Sequence, residues 1–143
     1  MKTKFFLFIF VLLIITGGFY FINPLVNSSD KNLENETAAL SLNALDLVYN
    51  FTNNEEISND LYAGKIIEVT GTIKEITDLN DRITVILNSN SNRFGVICDI
   101  NSNQKGKIKQ LQQLQKLTVK GICKGFLKDV ILLNCTIDLP TNE

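Results

Sequence analysis

Apolar and polar side chains alternate with a period of two between residues 65 and 137, which predicts a mainly β domain. The alternation predicts strands over 65–76, 82–88 and 93–100. It then gives way to a short helical pattern within 101–115, and two more strands follow within 117–137. Segments rich in Asn, Asp and Ser separate the first three strands and are typical of turns.

A glycine in the first predicted strand indicates how the strands close. Gly71 interrupts the strand over 65–76 and favours a bulge or sharp bend, which lets one strand serve two sides of a barrel. Three strands, a short helix and two strands, with that bend in the first, are the element order of an OB-fold, a five-stranded Greek-key barrel.

A period of 3.6 predicts one more helix, over 37–51, ahead of the barrel, with Asn35 or Thr37 as its cap. The residues between that helix and the first strand are interpreted as a loop or short irregular helix. The apolar stripe of the predicted helix consists of Leu40, Ala44, Leu47, Val48 and Phe51.

The N-terminal segment predicts the compartment. Lys2 and Lys4 precede an uncharged apolar run from Phe5 to Ile22, long enough for about 27 Å of helix, which is close to the thickness of a bilayer core. The lysines predict a cytoplasmic N-terminus and a domain exported to the periplasm or the cell exterior. The alternative is a cleaved signal peptide and a secreted domain.

These patterns predict four regions. Residues 1–22 are the membrane anchor or signal segment, and residues 23–36, polar and without periodicity, are a flexible tether. Residues 37–138 form the OB-fold domain with its preceding helix, and 139–143 form a tail.

Four stretches together resemble a known family: "LYAGKIIEVTGTIKEI", "VICDI", "LTVKGICKG" and "VILLNCTI". Over roughly residues 40–138 the chain resembles the bacterial tRNA_anti-like family of OB-fold domains. The resemblance implies a fold related to anticodon-binding domains, and an export or anchor segment of the kind seen in residues 5–22. It rests on Tyr62, Lys65, Gly71, Gly121, Cys123 and Cys135.

The cysteines do not form a recognisable catalytic or metal site. The chain has no His and no Cys-x-x-Cys, so we expect no catalytic residue, no metal and no cofactor. Export instead predicts a disulfide. We favour Cys123–Cys135, on the fourth and fifth strands, and Cys98–Cys135 is the second possibility. In this interpretation two sets of residues each share a face, Leu117, Val119, Gly121 and Cys123 on the fourth strand and Ile131, Leu133, Cys135 and Ile137 on the fifth.

Nucleic-acid binding is disfavoured by the residues expected on the outer face of strands two and three. OB-folds bind single strands there with basic grooves and stacking rings. Phe94 should point inward, and Asp78 and Asp81 place negative charge in the turn between the first two strands. The expected outer face contains no aromatic residue: Arg82, Thr84, Ile86, Asn88, Arg93, Gly95, Ile97 and Asp99.

Charge is segregated along the sequence although the net charge is only −1. Seven lysines and no acid lie between residues 104 and 128, whereas residues 30–81 carry eleven acids and three lysines. The lysines could solvate outward faces, form a basic patch for an anionic partner, or pair with the acidic region. The candidate patch consists of Lys109, Lys116, Lys120, Lys124, Lys128, Arg82 and Arg93.

We therefore predict a non-enzymatic binding module held at the membrane through residues 5–22. Its expected ligand is an envelope protein, a glycan or a small anionic molecule. The alternatives are a single-stranded nucleic-acid-binding OB-fold protein and an architectural component of an envelope complex.

Overall fold

The computed structural model describes residues 11–14, 32–91 and 93–139. The chain divides into two units, residues 1–31 and 32–143, and of the first only the helical residues 11–14 are described. The elements of the second unit are β1 (Leu40–Asn43), α1 (Ala44–Asn53), α2 (Glu55–Tyr62), β2 (Ile66–Leu79), β3 (Arg82–Asn88), β4 (Gly95–Ile100), a 3₁₀ turn (Ser102–Gln104), α3 (Lys105–Ile108), β5 (Lys116–Phe126) and β6 (Val130–Asp138).

The described residues do not test the predicted membrane anchor. Among them, no helix has both the length and the apolar character needed to cross a bilayer. Except for residues 11–14, the run over 5–22 lies outside the described part of the chain.

The strands close into the barrel that the element order predicts. The sheet order is β1-β2-β3-β4-β6-β5, and β2 also pairs with β5, which closes it. The first half of β2 is antiparallel to β5, and its second half is antiparallel to β3. The parallel pairing of β4 with β6 completes the five-stranded barrel. The OB-fold is confirmed.

Gly71 lies where neighbouring side chains come so close to β2 that there is little room for a Cβ atom. A Cβ at this position would lie 3.0 Å from the Cβ of Ala44 and 3.1 Å from the Cβ of Leu87. The register shift of β2 against β3 occurs slightly later, between Ile73 and Glu75. Gly71 therefore lets the start of α1 and the end of β3 approach the strand at its turning point.

The predicted helix over 37–51 is wrong in its first half. Residues Leu40–Asn43 instead form β1, parallel to β2. The cap is Asn43, whose side chain accepts a hydrogen bond of 2.8 Å from the backbone N–H of Asp46, and not Asn35 or Thr37. The first half of β2 has a pairing edge that β3 does not cover, and hydrogen bonds to that edge outweigh the helical pattern.

Aromatic and aliphatic side chains from the helices complete the core. Phe51 of α1 stacks on Phe126 with ring centroids 5.9 Å apart and also contacts Tyr62 of α2 at 5.8 Å. Ile108, the last residue of α3, and Leu111 are buried, whereas Leu114 is 81% exposed. Leu114 has a positive φ of 66°, which is not a helical conformation, so the helical pattern stops before this residue.

The predicted tether is wrong for its last residues. Residues 32–36 are docked on the barrel, and the side chain of Leu33 is 0% exposed. Polar composition suggested a flexible segment, but one buried leucine and several specific hydrogen bonds hold it in place.

The predicted shared face of β6 is also wrong. Leu132, Cys135 and Ile137 point inward, whereas Ile131 and Leu133 are half-buried on the outer face. Asn134 has a left-handed backbone with φ 55°, and the register of β6 against β5 shifts at this position. A bulge of this kind adds a residue and inverts the alternation that follows.

Candidate functional site

The outer face of β3 and β4 has the character predicted from the sequence. Arg82 donates two hydrogen bonds of 2.9 Å to the carboxylate of Asp99, and these bonds raise the pKa of Arg82. The ring of Phe94 lies against Phe126, with centroids 5.6 Å apart, and not on the outer face. The described part of this face therefore has no stacking ring, and its arginine is already paired.

The predicted basic residues form a row and not a compact patch. The outward face of β5 carries a lysine at every fourth residue, namely Lys116, Lys120 and Lys124. At the usual rise of a strand, neighbouring lysines are about 13 Å apart. Lys109 and Lys128 lie in the loops before and after β5, and Arg93 lies in the loop before β4. Within the described residues, Lys109, Lys116, Lys124, Lys128 and Arg93 have no ion pair.

Several lysines of the basic region pair with the acidic region. Lys105 binds Asp81 at 2.8 Å, which lowers the pKa of Asp81 and raises that of Lys105. Lys107 binds Glu34 at 2.9 Å. Lys120, which lies opposite Glu68 in the β2–β5 register, donates to backbone carbonyls of residues 34 and 36. Pairing within the fold thus accounts for part of the charge segregation.

The three cysteines are free and buried. Cys123 lies opposite Leu132, whereas Cys135 lies close enough to Cys98 for that thiol to raise its pKa. Burial raises the pKa of Cys123, and it raises that of Cys135 well above its usual value, so neither is suited to be a nucleophile. The Cys123–Cys135 and Cys98–Cys135 bridges both stay predictions, and the influence of Cys98 on the pKa of Cys135 favours the second.

A polar cleft of about 490 Å³ lies where β1, the bend of β2, the end of β3 and the start of β5 meet. Gly71 at the bend adds no side chain to it. Six of its eleven lining residues carry a hydroxyl or an amide, and Lys116 is the only cation among them. The lining consists of Ser41, Leu42, Asn43, Ala44, Leu45, Thr70, Gly71, Thr72, Asn88, Asn90 and Lys116.

A second polar pocket of about 200 Å³ involves the outer faces of β2, β5 and β6. The hydroxyls of Thr70, which lines the cleft, and Thr118, which lines the second pocket, are 2.9 Å apart. The second pocket is lined by Glu34, Glu68, Lys107, Thr118, Lys120, Thr136, Ile137 and Asp138.

Of the residues that line the cleft, only Lys116 belongs to the predicted basic patch, and Asn88 lies on the predicted outer face. The sequence pattern predicts a helix at Ser41 and Asn43, the end of a strand at Asn88 and a turn at Asn90. The available signal was Gly71, because a conformationally permissive residue within a strand often marks a close approach.

No group of three or more Cys, Asp or Glu side chains in the described part of the chain is arranged to hold a metal ion.

A closed five-stranded barrel with a parallel β4–β6 pair and a polar cleft at its bend defines an OB-fold domain. The chain belongs to the tRNA_anti-like family, whose model matches residues 1–137.

One of the matching solved structures supports the same fold. A proposed nucleic acid-binding lipoprotein from Klebsiella pneumoniae matches with a TM-score of 0.56 and 16% identity, covering 69% of this chain and 92% of that one. The asparaginyl-tRNA synthetase of Entamoeba histolytica matches with a TM-score of 0.42 and 16% identity, covering 55% of this chain and 22% of the synthetase. Among curated protein sequences, none matches this chain.

Proposed function

We propose that this protein is a non-enzymatic binding module whose polar cleft takes a small anionic molecule or an acidic sugar. The observation that carries the proposal is the 490 Å³ cleft with its wall of hydroxyls and amides and its single lysine. Its volume lies within the usual range for small-ligand sites.

The chemistry of the wall selects the ligand class. Thr72, Asn88 and Asn90 offer donors and acceptors that match sugar hydroxyls. The ammonium group of Lys116 has no ion pair among the described residues and is available to a carboxylate or phosphate. A ligand with several hydroxyls and one negative charge satisfies both features.

We expect an acidic disaccharide containing glucuronate to bind the full chain more tightly than its neutral glucose counterpart, as measured by calorimetry. Lys116→Gln should weaken binding of the acidic form roughly tenfold, since one charge-assisted hydrogen bond is lost. The matched control is Lys124→Gln, on the same strand and the same outward face but outside the cleft. Equal losses in both variants, or no preference for the acidic sugar, would contradict the proposal.

A second candidate is binding of single-stranded nucleic acid, supported by the OB-fold and by the row of lysines on β5. It is also the activity named in the description of the Klebsiella protein. This candidate is disfavoured because the described β3–β4 face has no ring on which a base could stack, and because its Arg82 is already paired with Asp99. Submicromolar, length-dependent binding of an oligonucleotide at about 150 mM salt, with similar losses in Lys116→Gln and Lys124→Gln, would place it first.

We further propose that residues 5–22 hold the protein in the membrane and that the barrel is exported. The basis is the apolar run behind Lys2 and Lys4. Export exposes the neighbouring thiols of Cys98 and Cys135 to an oxidising compartment.

We therefore expect one free thiol per chain when the protein, purified from its native membrane, is denatured without reductant. Alkaline phosphatase fused after Glu143 should be active, and the protein should stay in the membrane fraction after a carbonate wash. Three free thiols together with an inactive fusion would contradict export, and a peptide linking Cys123 to Cys135 would restore the pairing first expected. Release by the wash would favour a cleaved signal.

A further inference from the structure

Residues 33–36 form a turn that is docked on the barrel. The backbone N–H of Glu36 donates to the carbonyl of Leu33 at 3.1 Å, and the side chain of Asn32 accepts from the N–H of Glu34 at 3.0 Å. Leu33 is fully buried, while the Glu34 side chain is 40% exposed. The turn thus presents one apolar anchor and one carboxylate to the barrel.

Three side chains donate hydrogen bonds to this turn, Gln104, Lys107 and Lys120, and we call them the Gln104 cradle. Gln104, only 2% exposed, donates from its amide nitrogen to the Glu34 carboxylate at 2.8 Å, and Lys107 donates to the same oxygen at 2.9 Å. Lys120 donates to the carbonyls of Glu34 and Glu36, both at 2.9 Å. The cradle therefore binds both a carboxylate and the backbone of a turn.

The cradle is selective for a charged carboxylate. Two donors converge on one carboxylate oxygen, and one of them is an ammonium group, so a neutral amide would be bound less well. The hydrogen bonds from Gln104 and Lys107 lower the pKa of Glu34 to about 2, so the group is ionised at physiological pH. Gln104 is held in place because its carbonyl accepts from the N–H of Ile137 at 3.4 Å.

The turn leaves part of the surrounding pocket unfilled. About 200 Å³ remains beside Glu34, and Thr118 and Thr136 are among the residues that line it. Glu68 and Asp138 also line this space and add negative charge. A larger ligand than the turn fits here if it carries a basic or hydroxyl group next to its carboxylate.

We propose that the Gln104 cradle is a docking site for an acidic turn of a partner protein, which residues 33–36 occupy in cis. The partner's turn would carry an apolar residue followed by Glu, with a basic or hydroxyl side chain directed at Glu68 and Asp138. The ion pair of the resident turn is exposed, with Lys107 41% and Glu34 40% exposed, and such a pair is individually weak. A partner at sufficient concentration can therefore displace the turn by mass action.

The test uses a fluorescent peptide of residues 30–38 as the probe and the full chain in detergent. Glu34→Gln removes the competing carboxylate and should raise affinity for the peptide at least tenfold over the native chain. The control is Glu56→Gln, which makes the same charge change on the exposed surface of α2 and should leave affinity unchanged. Adding Lys107→Gln and Lys120→Gln to Glu34→Gln should abolish the gain.

Further measurements separate docking from a purely structural contact. A peptide with Gln at position 34 should bind the Glu34→Gln chain at least tenfold more weakly than the native peptide. Leu33→Ala, with its thermal unfolding recorded, is a second way to vacate the cradle. If neither folded variant gains peptide binding, the turn is structural and the proposal is wrong. If Glu34 of one copy crosslinks to Lys107 of another, the occupant is a second copy and the partner assignment is overturned.

Discussion

Replacing Phe51 with alanine is expected to lower the free energy of unfolding by about 3–5 kcal/mol. The ring is 1% exposed and is among the largest fully buried side chains of the described residues. It stacks on Phe126 and contacts Tyr62, so its removal leaves a cavity between α1, α2 and the barrel. Urea unfolding followed by circular dichroism measures the change.

The matched control for Phe51 is Tyr49→Ala on the same helix. The Tyr49 side chain is 61% exposed, so its removal should change the free energy of unfolding by less than about 0.5 kcal/mol. A loss below about 1.5 kcal/mol for Phe51→Ala, or equal losses in the two variants, would show that α1 does not complete the core in this way.

Gly121→Ala is expected to destabilise the barrel by about 1–3 kcal/mol through overpacking. A Cβ at this position would lie 2.6 Å from the sulfur of Cys135, closer than real Cβ contacts allow. The Cβ of Leu132 and the carbonyl of Leu133, both at 3.3 Å, limit how far the backbone can move away. Thermal or urea unfolding measures the loss.

The same clash predicts an interaction between two substitutions. Cys135→Ala removes the sulfur, so the cost of Gly121→Ala should fall by about 1 kcal/mol or more in that background, as a double-mutant cycle. Gly106→Ala, where a Cβ would meet nothing within 4 Å, is the control and should be close to neutral. Additive losses for the pair would mean that the sulfur is not what Gly121 accommodates.

The barrel itself could be predicted from the sequence because its information is local. The order of the strands, and which side chains of each point inward, follow from the alternation over 65–137, the turn-forming segments and Gly71. Burial of the apolar faces then selects the register in which the strands pair. The inward position of Phe94, the inward face of β5 and the paucity of rings on the β3–β4 face follow from the same parity.

The sequence-based predictions are wrong where a helical and a strand pattern overlap, or where a bulge changes which residues of a strand point inward. Leu40 and Ala44 fit a helical stripe, yet residues 40–43 form β1 because an unpaired edge of β2 is within reach. Asn134 inserts a left-handed residue into β6, and this alone moves Cys135 from the face of Leu133 to that of Leu132 and brings it to Cys98. Periodicity carries no information about either event.

Local sequence thus determines the class of this protein, an OB-fold of the tRNA_anti-like family, because hydrophobic periodicity is a property of neighbouring residues. Tertiary structure alone decides which polar residues meet. Lys116 joins Ser41 and Asn88 in the cleft, and Glu34 joins Gln104, 70 residues away in the chain. The physical reason is that barrel closure sets these distances, and side-chain hydrogen bonds form only after closure has brought the strands together.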